Sequence, residues 1–325
     1  MSENSHRLQG RTAWLLTDGK IGDRVQCLGV ANRLGLRVTE KTILPGRPWE
    51  WFMPRGPIPL RHRSGAADSP IAPPFPDIAI ASGRRLVAYL RAIRKASGGR
   101  TFTVFLKDPR VAPSFADLIW VPAHDGLRGD NVFVTDTAPH RLTHEGLNEA
   151  LQAQVWPFMQ QPAPRLALIL GDPLSRARSR QSALSAFLDT ISEALPAVGS
   201  VAVVTSRRTP QDLVAAISSL LEEKPHWIWS GEGANPYPAL LAGADYLAVT
   251  GDSHNMVGEA LFTGKPVFTI RPEGINPKLD RFLTNITKKG LVRPLSGKIE
   301  PYSYAPVDAT LAIAAKIEES FSERR

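Results

Sequence analysis

Apolar positions along the chain follow two alternating periods. "TAWLLT" (12–17) is a short unbroken apolar run, as a strand buried on both faces carries. From about Asp23 to Leu34 the spacing becomes helical, and Gly35 stops it. "RVTEKTI" and "PDIAIAS" read as strands. "RRLVAYLRAIRKAS" reads as a helix opened by Gly83, with Leu86, Leu90 and Ile93 on one face. "TFTVFLKDP", "ADLIWVP" and "NVFVTD" are further strands. Residues 45–76, rich in proline, glycine and arginine, are expected to form a long irregular excursion.

The pattern breaks at 151–164, "LQAQVWPFMQQPAP", and then restarts. "RLALILGDP" is a strand into a glycine turn, followed by a helix from about Arg180 to Leu195. "SVAVVTSRRTP" is a strand into a basic loop, and "QDLVAAISSLLEE" is the next helix, with Pro210 in its first turn. "HWIWSGEG", "NPYPALLAGAD" and "YLAVTGD" continue as strand, helix and strand. Strands alternating with helices predict parallel sheets with right-handed crossovers. The expected architecture is α/β: two doubly wound Rossmann-type domains facing across a cleft, 1–150 and 165–306, with 151–164 as linker. Leu311, Ile313, Ala314 and Ile317 fall on one face of a last helix within 307–325, and a return to the first domain is one placement for it.

Composition narrows the setting. A chain of 325 residues, 43% hydrophobic and 22% charged, suggests two globular domains. The first residues, "MSENSHRLQGR", hold no apolar stretch, so no signal peptide is expected, and no run approaches the roughly 18 apolar residues of a membrane span. The lone Cys27 points to a reducing compartment, hence a cytoplasmic location. The net charge of +8 is concentrated: Arg47 to Arg110 contains twelve Lys or Arg and four Asp or Glu, the whole excess. That favours either an anionic partner or a solubilising face. No nucleic-acid module is recognisable, and no nucleic-acid partner is expected.

The densest chemistry lies in "VTGDSHNMVGEALFTGKPVF" (249–268). Ligands of open parallel sheets sit beyond the carboxyl ends of strands. Asp252 or Ser253 is a suitable N-cap, and the turn Asp252, Ser253, His254, Asn255 would aim amides at an anion such as phosphate. With Ser253 as cap, Met256 and Glu259 fall one turn apart on one side. A carboxylate at Glu259 suits a ribose diol. A plain capped surface helix is the competing reading.

"GADYLAVTGDSHNMVGEALFTGKPVFTI" resembles the donor-nucleotide segment of GT-B glycosyltransferases, in which the glutamate matching Glu259 holds the nucleotide ribose. "NPYPALLAGADYLAVTGDSHNMVGEALFTGKPV", with "LTDGKIGDRVQCLGVANRLGL" near the start, resembles the mitochondrial fission family first named from plants with elongated mitochondria, and its bacterial homologues. This likeness spans most of the chain. It implies a GT-B-like fold and, from the plant members, recruitment of a dynamin-related GTPase at an organelle surface.

Other residues are candidates on weaker grounds. Arg207 and Arg208 are placed to clamp a diphosphate. Gly171 permits close backbone approach, and Gly231 and Asn235 line a loop suited to a nucleobase. Gly19 and Lys20 in "TDGKIGD" are candidate contacts at the end of the first strand. A base for an acceptor hydroxyl would be Asp18 or, second, His124. His140 and His144 have i, i+4 spacing, but Pro139 and the lack of a carboxylate pattern argue against a metal; neither metal nor cofactor is expected. Trp49, Trp51, Phe52 and Met53 with Arg55 form an aromatic, basic stretch suited to docking on an anionic membrane or to folding back on the core. Three functions follow: a metal-independent glycosyltransferase of envelope or lipid-linked glycan synthesis, working on a nucleotide sugar at the inner face of a membrane, with the anionic membrane surface or a lipid acceptor as partner; a GT-B-shaped adaptor recruiting a protein partner; and a nucleotide-sugar epimerase.

Overall fold

The computed structural model of the chain describes residues 8–229 and 231–324. Residues 1–7, part of the stretch read as lacking a leader, lie outside the described residues, as do Ser230 and Arg325. The chain divides into two compact units. One comprises the chain up to Arg141 together with the segment from Asp308 on; the other is Leu142–Val307.

The first unit carries β1 (Thr12–Thr17), α1 (Ile21–Arg33), β2 (Arg37–Thr42), β3 (Ile78–Ser82), α2 (Val87–Ala96), β4 (Phe102–Leu106), β5 (Leu118–Pro122) and β6 (Val132–Thr135). Its six strands pair in parallel in the order β2-β1-β3-β4-β5-β6. Every residue of β3, β4 and β5 is buried, as expected of parallel strands covered on both faces. The pleat sends alternate residues of β1 to different cores. Ala13 and Leu15 join Val30, Ile80, Val104 and Trp120 on one face. Trp14 and Leu16 join Ala79, Leu90 and Phe105 on the other. The proline-rich excursion forms two short 3-10 turns, and it contributes Met53, Ile58 and Ile71 to that second core.

The second unit carries α3 (His144–Gln152), β7 (Arg165–Leu170), α4 (Arg180–Ala194), β8 (Ser200–Thr205), α5 (Gln211–Leu220), β9 (His226–Ile228), α6 (Tyr237–Gly243), β10 (Tyr246–Thr250), α7 (His254–Phe262), β11 (Val267–Ile270), α8 (Pro277–Lys288) and β12 (Arg293–Pro294). Its strands are again all parallel, in the order β12-β11-β10-β7-β8-β9. One face buries Ala167, Ile169, Val204 and Val249 under α6, α7 and α8. The other buries Leu166, Leu168 and Val203 under α4 and α5.

Two boundaries differ from the sequence reading. Helix α3 packs against α6, so the second unit begins near residue 142 rather than 165. The stretch 151–164 is not a free linker: Trp156 and Phe158 are buried in the second unit's core. The last helix, α9 (Ala309–Glu323), belongs to the first unit. Its Ile313 and Ile317 are buried against the α1 face of the sheet. Asp308 caps it by accepting from the Leu311 amide. Thr310 ties it to the backbone of His140, accepting from the amide at 2.9 Å and donating to the carbonyl at 3.0 Å.

Candidate functional site

Four segments of the second unit converge on one cavity. Strands β7 and β8 end at Leu170 and Thr205, and the chain leaves β8 through Ser206 and Arg207. Trp229 continues β9, its amide donating to the Val203 carbonyl at 3.0 Å. Helix α7 starts after Ser253, which occupies the N-cap position although its hydroxyl makes no capping bond. Met256 and Glu259, one turn apart, face the same space. The result is a cavity of about 530 Å³ at the carboxyl ends of β7 and β8, lined by Arg207, Trp229, Asn235, Tyr237, Met256 and Glu259 among others. Gly231 also lines it, at φ +92°, a conformation glycine adopts without strain.

The carboxylate in this cavity is held. Tyr237 donates its hydroxyl to Glu259 Oε2 at 2.6 Å. Burial pushes the Glu259 carboxyl above its ordinary range, while the tyrosine's hydrogen bond pulls the other way. Burial and the neighbouring carboxylate push the Tyr237 phenol well up. The bond to Oε2 restrains the carboxyl group, which has acceptor capacity left for hydrogen bonds from a ligand. Asn235 steadies the start of α6 by accepting from the Tyr237 amide at 3.1 Å.

The other half of the predicted turn sits elsewhere. Asp252 Oδ2 accepts from the Asp172 amide at 3.0 Å and pairs with Arg208 at 3.1 Å. A Cβ at Gly171 would collide with the Asp252 carboxylate, and the Gly171 amide donates to Thr250 Oγ1 at 2.8 Å. Gly171 is therefore needed for the packing of two strand ends. Asp252, Arg208 and Asp172 line a separate cavity of about 570 Å³ with Arg176 and Glu273. Three carboxylates and two arginines share that wall, and Asp252, bonded to the Asp172 amide and paired with Arg208, acts as a latch between the ends of β7 and β10. The expected arginine pair divides: Arg207 faces the first cavity and Arg208 the second. His254 and Asn255 are half-buried and line neither; His254 lies edge-on to Phe282 of α8 at 6.1 Å.

The first unit gathers charges at the carboxyl ends of β1, β3 and β4. Asp18 Oδ2 lies 3.5 Å from Lys20 and 3.9 Å from Arg85, and Arg85 also pairs with Glu50 at 2.8 Å. Lys107, at φ +111°, pairs with Asp23. Such a backbone in a non-glycine residue is strained. Gly83 sits against both carboxylates, with a virtual Cβ 3.5 Å from an oxygen of each. Gly19, at φ +87°, donates its amide to Thr17 Oγ1 at 3.1 Å. The Asp18 side chain is only 1% exposed beneath its two cations. That placement lets Asp18 hold Lys20 and Arg85 at the end of β1. His124, in the turn after β5, is half-buried.

Of the expected docking residues, Met53 is buried in the core and Trp49 is half-buried. The core holds Met53 because the excursion folds back over the sheet. Trp51, Phe52 and Arg55 are exposed. His140 is buried in the first unit, and His144 stacks on Phe262 in the second at 4.4 Å. Among the described residues no three His, Cys, Asp or Glu group as metal ligands would. Trp229 and Tyr237 were not singled out from the sequence. Trp229 carries a readable signal, an aromatic just past a strand's carboxyl end. The Tyr237 contact spans 22 residues, and nothing local announces it.

Two doubly wound, six-stranded parallel sheets, one with a cavity at its strand ends, give the chain a GT-B-like fold. Across almost the whole chain the fold is similar to a UDP-GlcNAc 2-epimerase from Neisseria meningitidis bound to UDP-GlcNAc (TM-score 0.51, 14% identity, 96% of this chain and 90% of that one). It is also similar to the glycosyltransferase of kitacinnamycin (TM-score 0.50, 14% identity, 97% and 94%). At these identities the likeness shows the fold alone. Residues 21–321 match the family described as Mitochondrial fission ELM1, and the chain belongs to that family. The Mitochondrial fission protein ELM1 of Arabidopsis thaliana is 27% identical over 297 residues, which is 83% of this chain and 68% of the plant protein.

Proposed function

We propose that the second unit binds a nucleoside-diphosphate sugar and that the chain is a metal-independent glycosyltransferase. The observation that carries this is the Glu259 carboxylate, oriented by Tyr237 inside a cavity of about 530 Å³ at the carboxyl ends of β7 and β8. Glu259 accepts the ribose hydroxyls, Arg207 and the first turn of α7 face the diphosphate, and Trp229 offers a flat face to the base. Asp18 and, second, His124 are the candidates for the base that takes the acceptor's proton. The fold shared with an epimerase bound to UDP-GlcNAc makes a nucleotide sugar the first ligand to try.

Calorimetry and thermal scans with UDP-, GDP-, CMP- and ADP-sugars test the reading. A bound donor at a hundredfold its dissociation constant stabilises the protein by ~2.7 kcal/mol. No heat and no shift with any of them would remove the proposal. Membership of the mitochondrial fission family supports a second reading, a scaffold of the same shape that recruits a protein without turnover. Partner capture that is indifferent to Glu259→Ala, together with donor binding but no transfer, favours the scaffold.

A further inference from the structure

Away from the nucleotide cavity, the first unit contains a second, larger one of about 690 Å³, lined by Arg55, Arg91, Arg94, Lys95, Val111 and Phe115 among others. Four cations and no carboxylate line it. Two of the cations are fixed. Arg91, on α2, donates to the carbonyls of Arg55 and Gly56, each at 3.1 Å. Arg94 donates to the Ser114 carbonyl at 2.7 Å and pairs with Asp117 at 3.1 Å. Arg55 and Lys95 are exposed and have no ion-pair partner among the described residues. Gathering like charges is unfavourable unless an anion neutralises them.

The same wall leads into the aromatic turn. The Gly56 amide donates to the Phe52 carbonyl at 2.7 Å, so Arg55 joins the cavity rim to the 3-10 turn Trp49–Phe52. There Trp51 is 67% and Phe52 59% exposed, and Leu60, later in the same excursion, is 65% exposed. Arg47 sits over the Trp51 ring, 5.9 Å from its centre. Large apolar side chains left in water beside a cationic cavity mark an interaction surface.

We propose that Trp51 and Phe52 insert into the interface of an anionic phospholipid bilayer while the Arg55/Arg91/Arg94/Lys95 cavity takes a phosphate-bearing headgroup. Tryptophan flanked by arginine is the pairing that sits at a membrane–water boundary. A soluble phosphate would engage the cations and leave the aromatics in water. Nucleic acid would use stacking rings and cations, yet it gives exposed Leu60 nothing to cover it. The docking surface lies wholly in the first unit and does not depend on the nucleotide reading of the second.

The test is co-sedimentation of the full chain with vesicles of phosphatidylcholine, alone or mixed with phosphatidylglycerol. Binding is expected only to the mixed vesicles and weakens as sodium chloride is raised. Arg55→Ala with Lys95→Ala should weaken it roughly thirty-fold, at about a tenth to a quarter of the affinity per cation removed. Trp51→Ser with Phe52→Ser should abolish it, and both double variants should keep the wild-type melting temperature and donor binding, because the changed side chains are exposed. Binding that persists in excess inorganic phosphate supports a headgroup seated by the bilayer. Equal binding to neutral vesicles, no binding to either, wild-type binding by the Trp51/Phe52 variant, or a preference for a short DNA duplex would each overturn the proposal.

Discussion

Glu259 carries the sharpest consequences of the site. Glu259→Gln keeps the shape but leaves the ribose facing a neutral amide. Hydrogen bonds to a charged group contribute roughly 1.5–3 kcal/mol, so calorimetry should show donor binding about tenfold to a hundredfold weaker. The same substitution has a stability signature. Burial raises this carboxyl above its ordinary value of 4.5, so the folded state favours the neutral acid. The stabilisation is fully present below pH 4.5 and is lost as pH rises through the raised value. The glutamine variant should therefore melt no lower than wild type at neutral pH, and it should lack this group's decline on the alkaline side of 4.5; melting curves across that range decide it. Gly171 offers a contrasting case. An added methyl meets the Asp252 carboxylate, and Gly171→Ala should cost about 1–3 kcal/mol in denaturant unfolding through overpacking.

Among the elements, α9 is held by apolar contact and by hydrogen bonds that can be probed separately. Ile317 is fully buried against the first sheet, so Ile317→Ala should destabilise by about 2–5 kcal/mol. Thr310→Val removes both bonds to His140 and should cost roughly 1–3 kcal/mol, because it orphans a buried amide and a carbonyl. The sequence announced this helix by the spacing of Ile313, Ala314 and Ile317. Most strands were equally legible, because a parallel strand buried on both faces is an apolar run: "TAWLLT" is β1 to the residue. Helices α3 and α8 escaped. The apolar face of α3 is short, with Leu147 its one fully buried residue, and its register is set by packing on α6. In α8 the face Phe282, Leu283, Ile286 is clear in retrospect, and Asn276 caps it by accepting from the Lys278 amide. The nearby proline and charged residues obscured that pattern. In the site, the helical spacing of Met256 and Glu259 was readable, since it is a property of one element. The division of Arg207 from Arg208 was not, because it is decided by Asp252, more than forty residues away in the chain.

For the molecule as a whole, the division of the chain matters more than the likeness of its halves. The second unit is continuous, and both of its cores draw only on residues within 142–307. Expressed alone, that fragment should unfold cooperatively and retain donor binding. A fragment ending at residue 141 should not fold stably, because it lacks Ala309, Ile313, Ala314 and Ile317 from the core around Val30 and Trp120. Supplying a peptide of 308–324 should restore circular dichroism to it, and failure of that complementation would show that the helix is dispensable. The discontinuity also reaches into biosynthesis. On the ribosome, the first unit's sheet must wait for α9, which is made after the second unit, while that second unit can complete itself on the way. Newly made chains therefore pass through a period in which the α1 face of the leading sheet lies uncovered, and nascent-chain proteolysis should find that region the last to become resistant.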